Sequence, residues 1–316
     1  MFEVLVIICE ADESMENKPK INGMLCIYLS VIAVVTLVVS MLPEIIFQES
    51  TGSRPAILPY IKLLVLLIAA IVFLILNKLE ITKYILVLKV MILADIITGW
   101  IYYTSFWQET FDPASFFGNI DGSIILKIIG IIPVLGILLL LYGSPKEVYL
   151  TIGDLSVKAE EIKVLGIKKD KIAWGKLAII SAVLITLGTI LISAFTVRWA
   201  TVNFNFSNLA KYFPLALVFA VFNSLCEGIL MRMAILGPLR NILPKNYAIF
   251  ISSMIFGIGH FYGAPSGIVG VIMSFILGLY MTRSMYETKG FVSSWIIHFM
   301  QDLVIFSTML VMGNFT

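Results

Sequence analysis

The chain has 316 residues, 59% hydrophobic and only 13% charged, with a mean hydropathy of +1.00. Soluble domains carry about 25% charged residues, so this composition excludes an ordinary soluble domain and points to a polytopic membrane protein. The net charge is only +2, and the three cysteines, Cys9, Cys26 and Cys226, are scattered without a CxxC spacing; neither a disulfide framework nor a zinc knuckle is suggested.

In chain order, residues 1–23 open with a short apolar run, Val4 to Cys9, that lacks a basic flank and is too short to span; it does not read as a signal peptide. The acidic stretch Glu10 to Glu16 reads as solvated. Apolar segments follow at about 24–43, 57–76, 84–106 and 122–142, the first two separated by the turn-rich PEIIFQESTGSRP. Lys89 and Lys127 lie in these segments and are expected to snorkel to an interface. Asp95 is expected to serve packing, pairing with a lysine or facing a polar cavity. Trp100, Tyr102, Tyr103 and Trp107 read as an interfacial aromatic belt.

Residues 143–175 are polar and lysine-rich, which predicts a small cytosolic piece: a short strand or hairpin plus a helix at about 158–165. Its basic run reads as a topology signal, and no nucleic-acid partner is expected. Further spans are expected at about 175–196, 212–236, 246–260, 265–282 and 291–312, the 246–260 segment being short and GHFYGAPSG an unwound stretch. Lysines and arginines concentrate in alternate loops, which places the N-terminus and the 143–175 loop in the cytosol and Thr316 outside. The expected fold is therefore an all-α, polytopic transmembrane helical bundle of about eight to nine spans in the cell membrane. Its parts are an N-terminal four-span region at 1–142, the cytosolic loop at 143–175 and an intramembrane core at 176–316.

The stretch LALVFAVFNSLCEGILMR, Leu215 to Arg232, carries Glu227 and Arg232 within an apolar span, and the chain's two histidines, His260 and His298, lie in two later apolar segments. Ionisable side chains inside spans are costly and mark functional sites. Asp302 and Asn223 stand four residues from His298 and Glu227 respectively, each on its neighbour's helix face. A carboxylate in a partly wet, low-dielectric cavity can act as general base toward water, with His260 and His298 donating to an oxyanion or a leaving amine. Asp302 is placed to orient His298. Glu227, His260, His298 and Asp302 would equally suit a metal such as zinc, and residue spacing does not separate the two routes. Arg232 lies roughly 140° round an α-helix from Glu227 and is expected to anchor the cytoplasmic end. Cys226 reads as a small apolar residue rather than a nucleophile.

The run Glu227-Gly-Ile-Leu-Met-Arg232 resembles the E-E-x-x-x-R motif of the CPBP family, the CAAX-processing and bacteriocin-processing intramembrane proteases also called Abi proteins. Phe256-Gly-Ile-Gly-His260 is similar to its F-x-x-x-H, and His298-Phe-Met-Gln-Asp302 to its H-x-x-x-N/D, in the same order. The likeness covers about 160–312, with LGI and Trp174 also similar; the first four spans match nothing in it. The resemblance implies an endopeptidase cleaving a peptide or lipidated protein near its C-terminus. It assigns water activation to Glu227 and completion of the site to His260, His298 and Asp302, with Arg232, Asn223 and Phe256 in support. Gly228 stands where the family's second glutamate is expected. Two other classes remain open at this point: a non-catalytic, peptide-binding bacteriocin immunity protein, and a proton-coupled transporter, against which stands the lack of an inverted repeat.

Overall fold

The computed structural model describes residues 23–162, 166–196, 206–263 and 265–312. The N-terminal run Val4–Cys9, the acidic stretch after it and Thr316 lie outside these residues. Among those described the protein is all-α and carries only two isolated antiparallel bridges, Lys158 with Ala173 and Ile162 with Ile167.

The N-terminal part comprises α1 (Gly23–Val39), α2 (Leu42–Thr51), α3 (Leu58–Ile75), α4 (Leu79–Tyr102), the short α5 (Ser105–Thr110) and α6 (Phe116–Tyr142). α1 and α2 meet at a bend of 52°, where Pro43 opens α2. Lys62 of α3 donates to the Ser40 carbonyl left free at this break and pairs with Glu44 at 2.6 Å, so the break is closed by a buried cation. Asp95 sits at an exposed position on α4. Trp100 and Tyr103 are exposed as a belt requires, but Trp107 is buried against Phe111, because α5, capped by the Thr104 hydroxyl, folds back on the helix ends.

After a 3₁₀ turn at Pro145–Val148 the polar loop forms a hairpin-like excursion. Ala159 N–H donates to the Ile172 carbonyl, Ile162 and Ile167 exchange bonds, and Trp174 N–H returns to the Val157 carbonyl. These extended pairings occupy 158–162, so the described part of the expected helix is absent; residues 163–165 lie outside the description. Glu287 ties the excursion down by accepting from Glu160 N–H and Trp174 Nε1.

The C-terminal part begins with α7 (Trp174–Thr196) and α8 (Phe206–Glu227). α8 runs through a π-helical turn, Gly228–Met233, into α9 (Ala234–Leu239). α10 (Lys245–Gly259), α11 (Gly267–Thr288) and α12 (Val292–Met312) follow. α12 packs between α7 and α8, α10 packs on α11, and α6 joins the two parts along α8. Among the described residues seven helices are long and apolar enough to cross a membrane, and the bent α1–α2 pair makes an eighth. α10, with 15 residues, is only about 22 Å long against a ~30 Å hydrocarbon core. Past Gly259 the described residues 260–263 and 265–266 continue without helix. The chain is thus a multi-pass membrane helical bundle.

Candidate active site

Glu227 ends α8 and is buried. Its two carboxylate oxygens have different surroundings. Oε1 accepts from Lys127 Nζ of α6 at 2.7 Å. Oε2 faces His260 Nε2 and His298 Nε2, each at 3.5 Å, and accepts no closer hydrogen bond. These distances are long for direct bonds, and they leave Oε2 buried without a hydrogen-bond partner.

The polarity of each imidazole follows from its other nitrogen. Arg232 Nη2 lies 3.0 Å from His298 Nδ1. A guanidinium only donates, so Nδ1 accepts and the ring hydrogen sits on Nε2, directed at Glu227 Oε2 and at Asp302 Oδ1, 3.6 Å away. His260 Nδ1 lies 2.7 Å from the Phe256 carbonyl, which only accepts. The neutral His260 ring therefore carries its hydrogen on Nδ1 and a lone pair on Nε2. The two imidazoles present opposite characters to one carboxylate oxygen. Phe256 holds both: its ring centre is 4.4 Å from that of His260 and 5.3 Å, edge on, from that of His298, with the Arg232 guanidinium 4.9 Å above its face.

The π turn makes this possible. An α-helix would turn Arg232 away from Glu227, but the wider i→i+5 turn brings both side chains to His298. Arg232 is fully buried and does not anchor the cytoplasmic end; it fixes the tautomer of His298, a task the sequence reading had given to Asp302. Gly228 admits the turn's close packing. A Cβ there would stand 2.4 Å from Phe291 Cε2, so the Phe291 ring occupies the space toward which a second glutamate would project.

Asp302 Oδ2 accepts from Asn223 Nδ2 at 3.0 Å, and Lys127 Nζ donates to Asn223 Oδ1. A hydrogen-bonded chain thus runs from Glu227 through Lys127 and Asn223 to Asp302, and His298 Nε2, 3.5 and 3.6 Å from the two carboxylates, completes a ring of side chains. Two side-chain cations, Lys127 and Arg232, face two carboxyl groups, which is how a buried ionic cluster avoids a net charge. All the residues named from the sequence as catalytic or supporting meet here. Lys127 does not snorkel to an interface, and it is the site residue that sequence reasoning missed. A lysine in the middle of a long apolar helix was itself the signal.

The ligating atoms of Glu227, His260 and His298 lie within 4.8 Å of one another, and the 3.5 Å separations suit a tetrahedral ion with bonds of about 2.1 Å. The hydrogen-bond polarity does not. A metal-bound imidazole presents its second N–H to an acceptor, as His260 does to Phe256, whereas His298 would turn an N–H onto the Arg232 donor. The residues present do not fit a metal ion, and no chemical step is derived through one.

Bundle and site together define a polytopic membrane protein with a glutamate–histidine cluster at its centre. Residues 209–304 match the family model described as Rce1-like, "Type II CAAX prenyl endopeptidase Rce1-like", which bears out the resemblance carried by the three motifs. No curated protein and no solved structure matches the chain. Lys127 lies outside the matched segment.

Proposed function

We propose that this protein is an intramembrane endopeptidase of the CAAX-processing type, acting on a peptide or prenylated protein near its C-terminus. The observation that carries the reading is the single basic oxygen, Glu227 Oε2, set between an imidazole that accepts and an imidazole that donates. A water between Oε2 and His260 Nε2 gives one hydrogen bond to each. Glu227 takes a proton from that water as its oxygen attacks the scissile carbonyl carbon. The carbonyl electron pair moves onto oxygen, where His298 Nε2–H donates to the oxyanion. The tetrahedral intermediate collapses, the C–N bond breaks, and the proton on Glu227 passes to the leaving amine. Asn223 and Asp302 hold the ring of side chains around this carboxylate.

The test is release of a C-terminal fragment from a prenylated peptide by purified protein in detergent. The wild type is expected to release it and Glu227→Gln to fail while folding normally. Tight peptide binding without release would replace the protease by the immunity-protein reading. The lysine asymmetry also supports a cytosolic 143–175 loop in the cell membrane. In a cysteine-free background, cysteines at Ser156 and Ser53, both exposed, are then expected to react with an impermeant reagent from opposite sides.

A further inference from the structure

Lys127 is the residue that the three motifs and the matched segment leave unexplained. It lies in α6, Phe116–Tyr142, about 16 Å along the helix axis from one end and about 22 Å from the other, too deep for its ammonium to reach either membrane surface. A charge at such a depth is costly and is kept where it has partners. Its partners are Glu227 Oε1 at 2.7 Å and the Asn223 side-chain oxygen. The side chain remains 34% exposed beside a carboxylate that is 11% exposed, so it is not sealed in the helix contact.

A carboxylate can turn about its bond to the chain and offer either oxygen. With the ammonium on Oε1, that freedom is removed, and Oε2 alone is presented to the two imidazoles. We propose that Lys127 is a positioning residue of the active site, an intramembrane cation that holds the plane of the Glu227 carboxylate so that its free oxygen faces the two imidazoles. The catalytic unit then extends into the N-terminal helices and is not contained in residues 209–304. The role rests on the protease reading above.

The experiment compares Lys127→Met, Lys127→Ala and Lys127→Arg in detergent, with kcat and KM for the prenylated peptide measured beside thermal unfolding. A misplaced base costs about 10²-fold, so Lys127→Met is expected to lose kcat on that scale with little change in KM. Ethylammonium added to Lys127→Ala is expected to restore kcat in part, whereas ethanol at equal concentration is not, and no rescue is expected in Glu227→Gln. The thermal loss of Lys127→Met is expected to shrink when combined with Glu227→Gln, because the orphaned carboxylate is then gone. Where Lys127→Met does not fold, Lys127→Arg and the amine-treated Lys127→Ala give the same comparison. A folded Lys127→Met with wild-type kcat overturns the positioning role while leaving the protease reading standing. So does an activity loss that follows thermal stability alone and ignores the amine. A wild type that cleaves no peptide instead removes the protease reading, and the positioning role with it.

Discussion

Two spans of the bundle, α3 and α8–α9, are both apolar enough to cross a membrane and use that character in opposite ways. In α3, Ile61, Leu64, Leu67, Ile68, Ile71, Leu74 and Ile75 are all exposed, and only 28% of the helix's spanning window is buried inside the protein. The span formed by α8, the π turn and α9 has 44% of its window buried, the largest share among the spans, and it holds Glu227 and Arg232. Hydropathy reports only that a segment tolerates lipid; lipid and protein interior are equally apolar. Buried polar side chains are what separate the central span from the peripheral ones. Through Lys127 the N-terminal helices reach the central carboxylate.

That contrast can be broken most forcefully at Glu227. Glu227→Gln keeps size and hydrogen bonding and is expected to lower kcat by roughly 10²–10⁴, with thermal unfolding showing an intact fold. Arg232→Met is expected to lower kcat by about 10²-fold by freeing the tautomer of His298, and nitrogen-15 NMR of the histidines checks it through the Nδ1 and Nε2 shifts. Gly228→Glu is expected to destabilise by about 1–3 kcal/mol through overpacking against Phe291, and Phe291→Ala in the same chain is expected to relieve it, as denaturation in detergent will show. On the lipid-facing side, Leu64→Ala is expected to change stability by no more than about 0.5 kcal/mol; a larger loss would mean that α3 is not peripheral. Metal removal is expected to have the smallest effect. Dialysis against chelator should leave the rate unchanged, and elemental analysis should find no stoichiometric zinc; an ion lost with His260→Ala would break that expectation.

Much of the fold and most of the site were legible in the sequence. Long apolar runs report spans because every backbone polar group must be satisfied within the membrane, and ionisable residues in three of those runs named Glu227, His260, His298 and Asp302. The remaining pieces depend on long-range geometry. Arg232 was turned the wrong way because α-helical periodicity does not announce a π turn. Lys127 was given to an interface because its partners lie about a hundred positions away in sequence. Trp107 was given to the aromatic belt because the fold-back of α5 does not appear in composition. The 158–162 segment forms extended pairings because its partners at Ile167 and Ile172 outbid local helix propensity.

Two glycines outside the apolar spans carry a last consequence. Gly153, at φ +79°, lies so close to Gly290 that a Cβ on Gly290 would fall 2.2 Å from Gly153 Cα. Beside this contact Phe291 N–H donates to the Thr151 carbonyl and Asp154 N–H to the Thr288 carbonyl. The backbone of the polar loop is therefore buttoned to the residue whose ring packs over Gly228. The two halves of the fastener are 137 positions apart in sequence (290 − 153), with the helices α7, α8–α9, α10 and α11 between them. A side chain at either glycine would unfasten it and free the Phe291 ring to swing. A change made in water, outside the bilayer, would then be felt as slack around the carboxylate within it.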